Sequence, residues 1–244
     1  KQAIGVEYEL EGIDMDHEGF ADLRDAMMLR LDHDVAPGGY SWIFHTGEDT
    51  AKVGVCYIKN ETHKDKARDG MGIDDYLQHW LDTDPRFADA ERIAGKHHRG
   101  SAHIQMPDDL STDNFMAVGD TVPTVDPLWG EGIHKGMESG RAAAITADRC
   151  FTPDEPDTSA ESMAIYDELW HDRVAPQMWT RLWMTQLLYL ASNERYDTLM
   201  RDLDRMNMET LSDANAGNLL SIAKLLHVGD APLLARFLRE RLSE

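Results

Sequence analysis

Val118-Gly119-Asp120-Thr121-Val122-Pro123-Thr124-Val125-Asp126-Pro127-Leu128-Trp129-Gly130-Glu131-Gly132-Ile133 is the stretch on which the fold turns. Just before it, Phe115-Met116-Ala117-Val118 is a short apolar run, the pattern of a buried parallel strand that delivers Gly119 and Asp120 to a crevice. Two prolines then stiffen a loop, and Gly130-Glu131-Gly132 stands where a helix begins. A helix start offers unpaired backbone N–H groups and the positive end of a dipole, which together bind anions or electron-rich oxygens. From about Glu131 to Asp148 the helix carries Gly136, Ser139, Gly140, Ala142, Ala143 and Ala144, small enough to admit a second backbone. The alternative for the same residues is a stiff loop with Asp120 as a helix cap.

Toward the N-terminus the spacing predicts antiparallel sheet. Residues 4 to 10 alternate, Met27 to Leu31 makes a second strand, and Pro37-Gly38-Gly39 turns into Tyr40 to His45. Gly47 and Asp49 separate that strand from Lys52 to Ile58, so 40–45 and 52–58 form a hairpin. Ile73, Tyr76, Leu77, Trp80 and Leu81 recur at three and four, which predicts a helix over Gly72 to Leu81 before Pro85. Residues 91 to 106 return as strand, ending at Pro107. Beyond Pro153 and Pro156 the chain is helical, with a kink expected at Pro176.

The run from Gly119 to Ile133 resembles the second flavin-binding motif of the flavoprotein family that contains geranylgeranyl reductases and aromatic-ring hydroxylases, in which Gly-Asp leads into Pro-x-x-Gly-Glu-Gly and a helix. The resemblance implies that Asp120, after Gly119, meets the ribityl chain of FAD. It implies equally that the turn Pro127, Gly130, Glu131, Gly132 and Ile133 approaches the pyrimidine edge of the ring through main-chain amides. Thr121-Val122-Pro123 departs from the family's small residues, and Pro123 removes one N–H. A second motif, Pro37-Gly38-Gly39-Tyr40-Ser41-Trp42-Ile43-Phe44, is similar to the Pro-x-x-Tyr-x-Trp-x-Phe motif of geranylgeranyl reductases and is followed, as there, by an acidic turn and Val53-Gly54-Val55. His45 holds the place where that motif ends in proline. On a strand Tyr40, Trp42 and Phe44 point to one face, and with Pro37 they are the expected walls of a prenyl channel. The alternative is a sheet face packed on a helix.

The fold class that follows is α+β. An antiparallel-sheet substrate-binding domain is expected over 1–106, the C-terminal part of a Rossmann-like FAD-binding domain over 107–150, and a helical region over 151–244. The Gly-x-Gly-x-x-Gly loop of a first flavin motif is absent from the sequence, and Lys1 leads straight into a strand. The chain is therefore expected to be the C-terminal portion of a longer reductase, or a truncated relative that keeps the pocket.

Composition narrows the partners. Asp and Glu number 45 against 24 Lys and Arg, a formal net charge of −21, which excludes binding nucleic acid or a membrane through bulk positive charge. Asp outnumbers Glu 29 to 16 and Arg outnumbers Lys 16 to 8, the balance found in proteins of salt-loving archaea, where salt screens the self-repulsion. Cys56 and Cys150 read as free thiols of a reducing cytoplasm, with no apolar run long enough to span a bilayer. His97, His98 and His103 lack ligand spacing, so no metal is expected; no serine-nucleophile or Walker motif is present.

The resemblance thus implies an FAD-dependent oxidoreductase that saturates geranylgeranyl chains of archaeal ether lipids. Ferredoxin or NAD(P)H is its external electron donor, and peripheral membrane contact stays open. No catalytic residue is assigned; Tyr40 and His45 are candidate proton donors. The alternatives are a flavin-dependent hydroxylase or halogenase of the same superfamily, and a non-catalytic lipid-binding module.

Overall fold

A computed structural model describes residues 2–104, 109–122, 124–152 and 154–242. The chain forms two compact units, residues 1–101 with 189–198 and residues 102–188 with 199–244.

The first unit is a five-stranded sheet. Its strands are β1 (Gln2–Glu11), β2 (Met27–Arg30), β3 (Gly39–His45), β4 (Ala51–Lys59) and β5 (Glu91–His103), in the order β2-β3-β4-β1-β5. The predicted hairpin forms antiparallel with Tyr40 opposite Cys56, Trp42 opposite Gly54 and Phe44 opposite Lys52. The period of two then sorts the sheet into faces. Val6, Tyr8 and Leu10 of β1, Ile43 of β3, and Val53, Val55 and Tyr57 of β4 are buried together in one core. Two helices follow β4, α1 (Glu61–Lys66) and α2 (Ile73–Thr83). The latter closes the core with Ile73, Tyr76, Leu77 and Trp80, where the three-and-four spacing placed them. Asp75 caps it by accepting the Gly72 amide at 2.7 Å. The indole N–H of Trp80 donates to Asp84 at 3.0 Å, and Arg86 closes a buried ion pair with the same carboxylate at 2.6 Å. Truncating Trp80 would leave a large cavity and cost about 3–5 kcal/mol.

The second unit is helical apart from β6 (Ser111–Thr112) and β7 (Phe115–Met116). Here one expectation is corrected. Phe115 to Val118 does not form a buried parallel strand: its first two residues pair antiparallel with Ser111–Thr112, and Phe115 is 57% exposed. The cause is Asp113-Asn114, a tight turn in which Asn114 takes a positive φ of 59°, a conformation asparagine tolerates.

The helices are α3 (Ile133–Phe151), α4 (Ala160–Arg173), α5 (Ala175–Leu190), α6 (Asn193–Arg205), α7 (Met208–Asn215), α8 (Leu219–Ala223) and α9 (Ala231–Leu242). Tyr166 and Trp170 of α4 are fully buried in the core of this unit with Ala142 and Met178. Pro176 does not kink a continuous helix: α4 stops at Arg173 and Pro176 sits in the first turn of α5, where its missing N–H has no intrahelical partner to lose. The strand expected to reach 106 is observed to His103; its end, with Pro107, lies outside the described residues, as do Pro123 and Pro153. Among the described residues no helix is long and apolar enough to cross a membrane.

Candidate functional site

Two sets of residues carry chemistry, one in each unit. In the helical unit, Gly119 adopts φ +67° and its amide donates to Ser139 Oγ at 3.1 Å. Ser139 in turn bonds the hydroxyl of Tyr166 at 2.9 Å, and that hydroxyl donates to the Ala117 carbonyl at 2.6 Å. A Cβ on Gly136 would lie only 3.9 Å from the Gly119 Cα. The Gly119–Asp120 segment thus rests against the small-residue face of α3.

Asp120 projects across the start of α3. A side chain at Gly132 would put its Cβ 2.8 Å from Asp120 Oδ1, so glycine is required there for the carboxylate to lie over the helix start. Asp120 is exposed and its Oδ1 accepts from the Thr124 hydroxyl at 3.1 Å. Gly130 has φ +70° and donates its amide to the Asp126 carbonyl at 2.8 Å, inside the turn. Glu131 folds back so that its Oε1 accepts the His134 amide at 3.0 Å. No hydrogen bond within the described residues engages the amides of Glu131, Gly132 and Ile133, which stand at the positive end of a 19-residue helix. Pro127 is buried beneath the turn and Ile133 is exposed above it.

Asp126 holds this turn, a role not foreseen from the sequence. It is fully buried, and Oδ1 accepts the amides of Leu128 and Trp129 at 2.9 and 3.3 Å. Its own amide donates to the Glu131 carbonyl at 2.6 Å. Oδ2 pairs with Arg181 of α5 and lies 3.8 Å from Nζ of buried Lys135. Arg181 also donates to the Asn215 carbonyl, whose side-chain oxygen accepts the Trp129 indole N–H at 2.8 Å. Burial holds Lys135 below the usual ammonium pKa; Asp126 opposes that shift and Arg181 adds to it. The available signal was Asp before Pro in a Gly-rich turn, an Asx-turn pattern.

In the sheet unit, Tyr40, Trp42 and Phe44 lie on the face opposite α2 and its core, each half-buried. Their rings follow one another at 5.8 and 6.2 Å. Register places Met27 of β2 beside Phe44 and Leu29 beside Trp42, and both are exposed. The Trp42 indole lies flat over Gly54: a Cβ there would sit 2.5 Å from indole Cε2 and 2.6 Å from the Val6 carbonyl oxygen. Glu7, cross-strand from Gly54, accepts the indole N–H at 3.0 Å. Pro37 is buried, and its carbonyl accepts from His63 Nδ1 at 2.8 Å.

Tyr40 has Cys56 as cross-strand partner; burial pushes the thiol up to about 12, against hydrogen bonds from Tyr40. The segment 189–198 brings Tyr189 near both, and burial drives its phenol well above the ordinary range. His45 is exposed at the strand end. His97 and His98 are exposed on β5, and among the described residues no His, Cys, Asp and Glu group has metal-binding geometry.

Residues 3–96 match the family model described as the geranylgeranyl reductase catalytic domain. A digeranylgeranylglycerophospholipid reductase of Haloferax volcanii is 67% identical over 235 residues, covering 96% of this chain and 57% of that protein. The corresponding reductase of Methanospirillum hungatei is 28% identical over 217 residues, covering 88% and 49%. Among solved structures, a geranylgeranyl bacteriochlorophyll reductase-like protein from Thermoplasma acidophilum superposes with TM-score 0.71 at 20% identity, covering 98% of this chain and 54% of that one. A flavin-dependent brominase shares the fold at TM-score 0.60 and 16% identity, over 89% and 50%. The chain spans about half the length of the relatives it matches. The aromatic strand lies inside the matched domain, and over 96% of its length the chain is similar to a digeranylgeranylglycerophospholipid reductase, which places residues 3–96 in the geranylgeranyl reductase family.

Proposed function

We propose that this chain forms the substrate-binding sheet and part of the flavin site of an FAD-dependent reductase that saturates the geranylgeranyl chains of archaeal ether lipids. The observation that carries it is the placement of Tyr40, Trp42 and Phe44 on the non-core face of the sheet. Because α2 covers the other face, these rings lie outside that core. Met27 and Leu29 extend the same apolar surface, which suits a long hydrocarbon better than the small polar substrate of a hydroxylase or halogenase. Each methylene buried there is worth about 0.8 kcal/mol.

Flavin fits the helical unit by its donor set. The amides of Glu131, Gly132 and Ile133 stand at a helix start, and the Asp120 carboxylate lies within 2.8 Å of where a Cβ at Gly132 would be. Asp120 would accept ribityl hydroxyls, while the three amides, with Gly130 shaping the turn and Pro127 beneath it, would hold the electron-rich edge of the ring. When bound and reduced, the flavin supplies hydride for addition to an alkene, which a proton completes. The amides and the helix dipole favour negative charge at their ligand. The aromatic face and Pro37 hold the prenyl chain and exclude water from it. Tyr40 remains the candidate proton donor; His45, exposed at the strand end, is a weaker one. Residues 107–150 would complete a Rossmann-like FAD domain, the electron donor being ferredoxin or NAD(P)H. The enzyme would work in the cytoplasm, meeting its lipid at the membrane surface.

Trp42→Ala tests this in the full-length reductase. Turnover of long prenyl substrates should fall while bound flavin stays near wild type. A variant that is stable, flavin-loaded and fully active on the long-chain lipid would refute the channel.

A further inference from the structure

Trp42, Gly54 and Glu7 stand in one row across β3, β4 and β1, since Gly54 is the register partner of both. Strands lie about 4.8 Å apart, so the outer residues of such a row are separated by about 10 Å of sheet and ordinarily do not meet. Here they do. The indole crosses β4 over the bare Gly54 backbone, and its Nε1 donates to Glu7 Oε2 at 3.0 Å. The far edge of the ring reaches β1 as well: a Cβ on Gly5 would lie 3.9 Å from Trp42 Cη2. Room alone does not fix a side chain with two rotatable bonds, and the glycines supply room, not attachment. The attachment is Glu7. An indole has a single N–H, so this bond uses its whole polar capacity. The Glu7 side chain is 19% exposed, and Lys52 Nζ lies 3.6 Å from its other oxygen. A carboxylate on a face that receives hydrocarbon carries a desolvation cost, which the indole N–H and the lysine offset.

We infer that Glu7 is a positioning residue for the prenyl chain: by tethering the Trp42 indole flat across β4 it keeps the aromatic face in the shape that receives a long hydrocarbon. It does so through the ring, without touching the substrate. This rests on the reading of Tyr40, Trp42 and Phe44 as channel walls. A ring already ordered in the free protein spares the substrate the cost of ordering it, and where only a fraction of molecules hold the ring in place, apparent affinity falls by that fraction.

The experiment measures KM, kcat and bound flavin in the full-length reductase with a geranylgeranyl lipid as substrate. In Glu7→Thr, a strand-compatible residue too short to reach the indole, KM should rise about tenfold, as expected for losing a hydrogen bond to a charged acceptor. Because the lost interaction orders the free protein, kcat should change by less than about twofold and bound flavin should stay at the wild-type level. Glu7→Gln keeps an acceptor oxygen and should recover most of the loss. In a Trp42→Ala background Glu7→Thr should raise KM no further, since the carboxylate acts only through the ring; a merely structural cost would persist there. A wild-type KM in Glu7→Thr, an additive effect in the Trp42→Ala background, or loss of flavin would each overturn the inference. Glu7→Leu takes the place of Glu7→Thr if the latter does not fold, and failure of both to fold would make Glu7 scaffold and overturn it too. A fully active Trp42→Ala would instead defeat the channel reading itself.

Discussion

Gly54→Ala is the most direct probe of the aromatic face. The new methyl would meet indole Cε2 at 2.5 Å and the Val6 carbonyl at 2.6 Å, far inside contact distance. The carbonyl belongs to the paired strand β1 and cannot give way, so the indole must lift off the sheet. Lifting it breaks the 3.0 Å bond to Glu7, a hydrogen bond to a charged acceptor worth about 1.5 kcal/mol or more. Residual crowding against Val6 adds about 1–3 kcal/mol. The sum, about 2.5–4.5 kcal/mol, corresponds to a fall in melting temperature of roughly 5–18 °C for a chain of this size. A thermal melt followed by circular dichroism measures it. The cycle with Trp42→Ala separates the two parts: removing the indole relieves the clash with the ring, so the double variant should be more stable than Gly54→Ala alone. If Gly54→Ala melts with the wild type, or if the two substitutions simply add, the flat-lying indole is wrong.

Two further outcomes concern conditions. His33 Nε2 bonds the Ala191 carbonyl at 2.8 Å while Nδ1 accepts the Gly38 amide at 3.2 Å, an arrangement only the neutral ring can make. Burial lowers its pKa below 6.5 against the Ala191 bond, so its stabilisation is complete above about pH 6.5 and is lost as pH falls toward the folded-state value. Melting temperature should therefore drop more between pH 7.5 and 5.5 in the wild type than in His33→Gln, and equal slopes would dismiss the histidine. With a net charge of −21, melting temperature should also rise from dilute buffer to molar KCl, and a flat profile would remove the salt argument.

Much of the sheet unit could be read from spacing alone because its signals are local. The glycines at 38, 39 and 47 punctuate strands of period two, and Ile73 to Leu81 has no period but that of a helix. Tyr40, Trp42 and Phe44 could be assigned to one face, but which face α2 would cover was not legible, since that is decided by Val6, Val53 and Val55 on other strands. Asp113-Asn114 is a turn signal that the apolar run after it obscured. The Asp126, Lys135 and Arg181 cluster joins residues far apart in sequence, and nothing local marks Lys135 as buried. Glu7 looked like the polar member of an alternating strand; only the register with Gly54 shows it holding Trp42.

The sheet unit is assembled from two separated pieces of chain, and this bears on how it is made. Lys66 donates to the Ala191 carbonyl, Asn193 pairs with His33 and Asp32, and Tyr189 settles by Cys56. All of these partners lie in residues 189–198, whereas the strands are complete by residue 103. At a synthesis rate of about 5–20 residues per second, the first hundred residues wait several seconds before their last segment is made. During that interval the Tyr40 end of the aromatic face and the backbone around His33 lack their partners. The nascent sheet is then an apolar surface in search of a cover, which makes this stage the one at which a chaperone would most change the yield of folded protein.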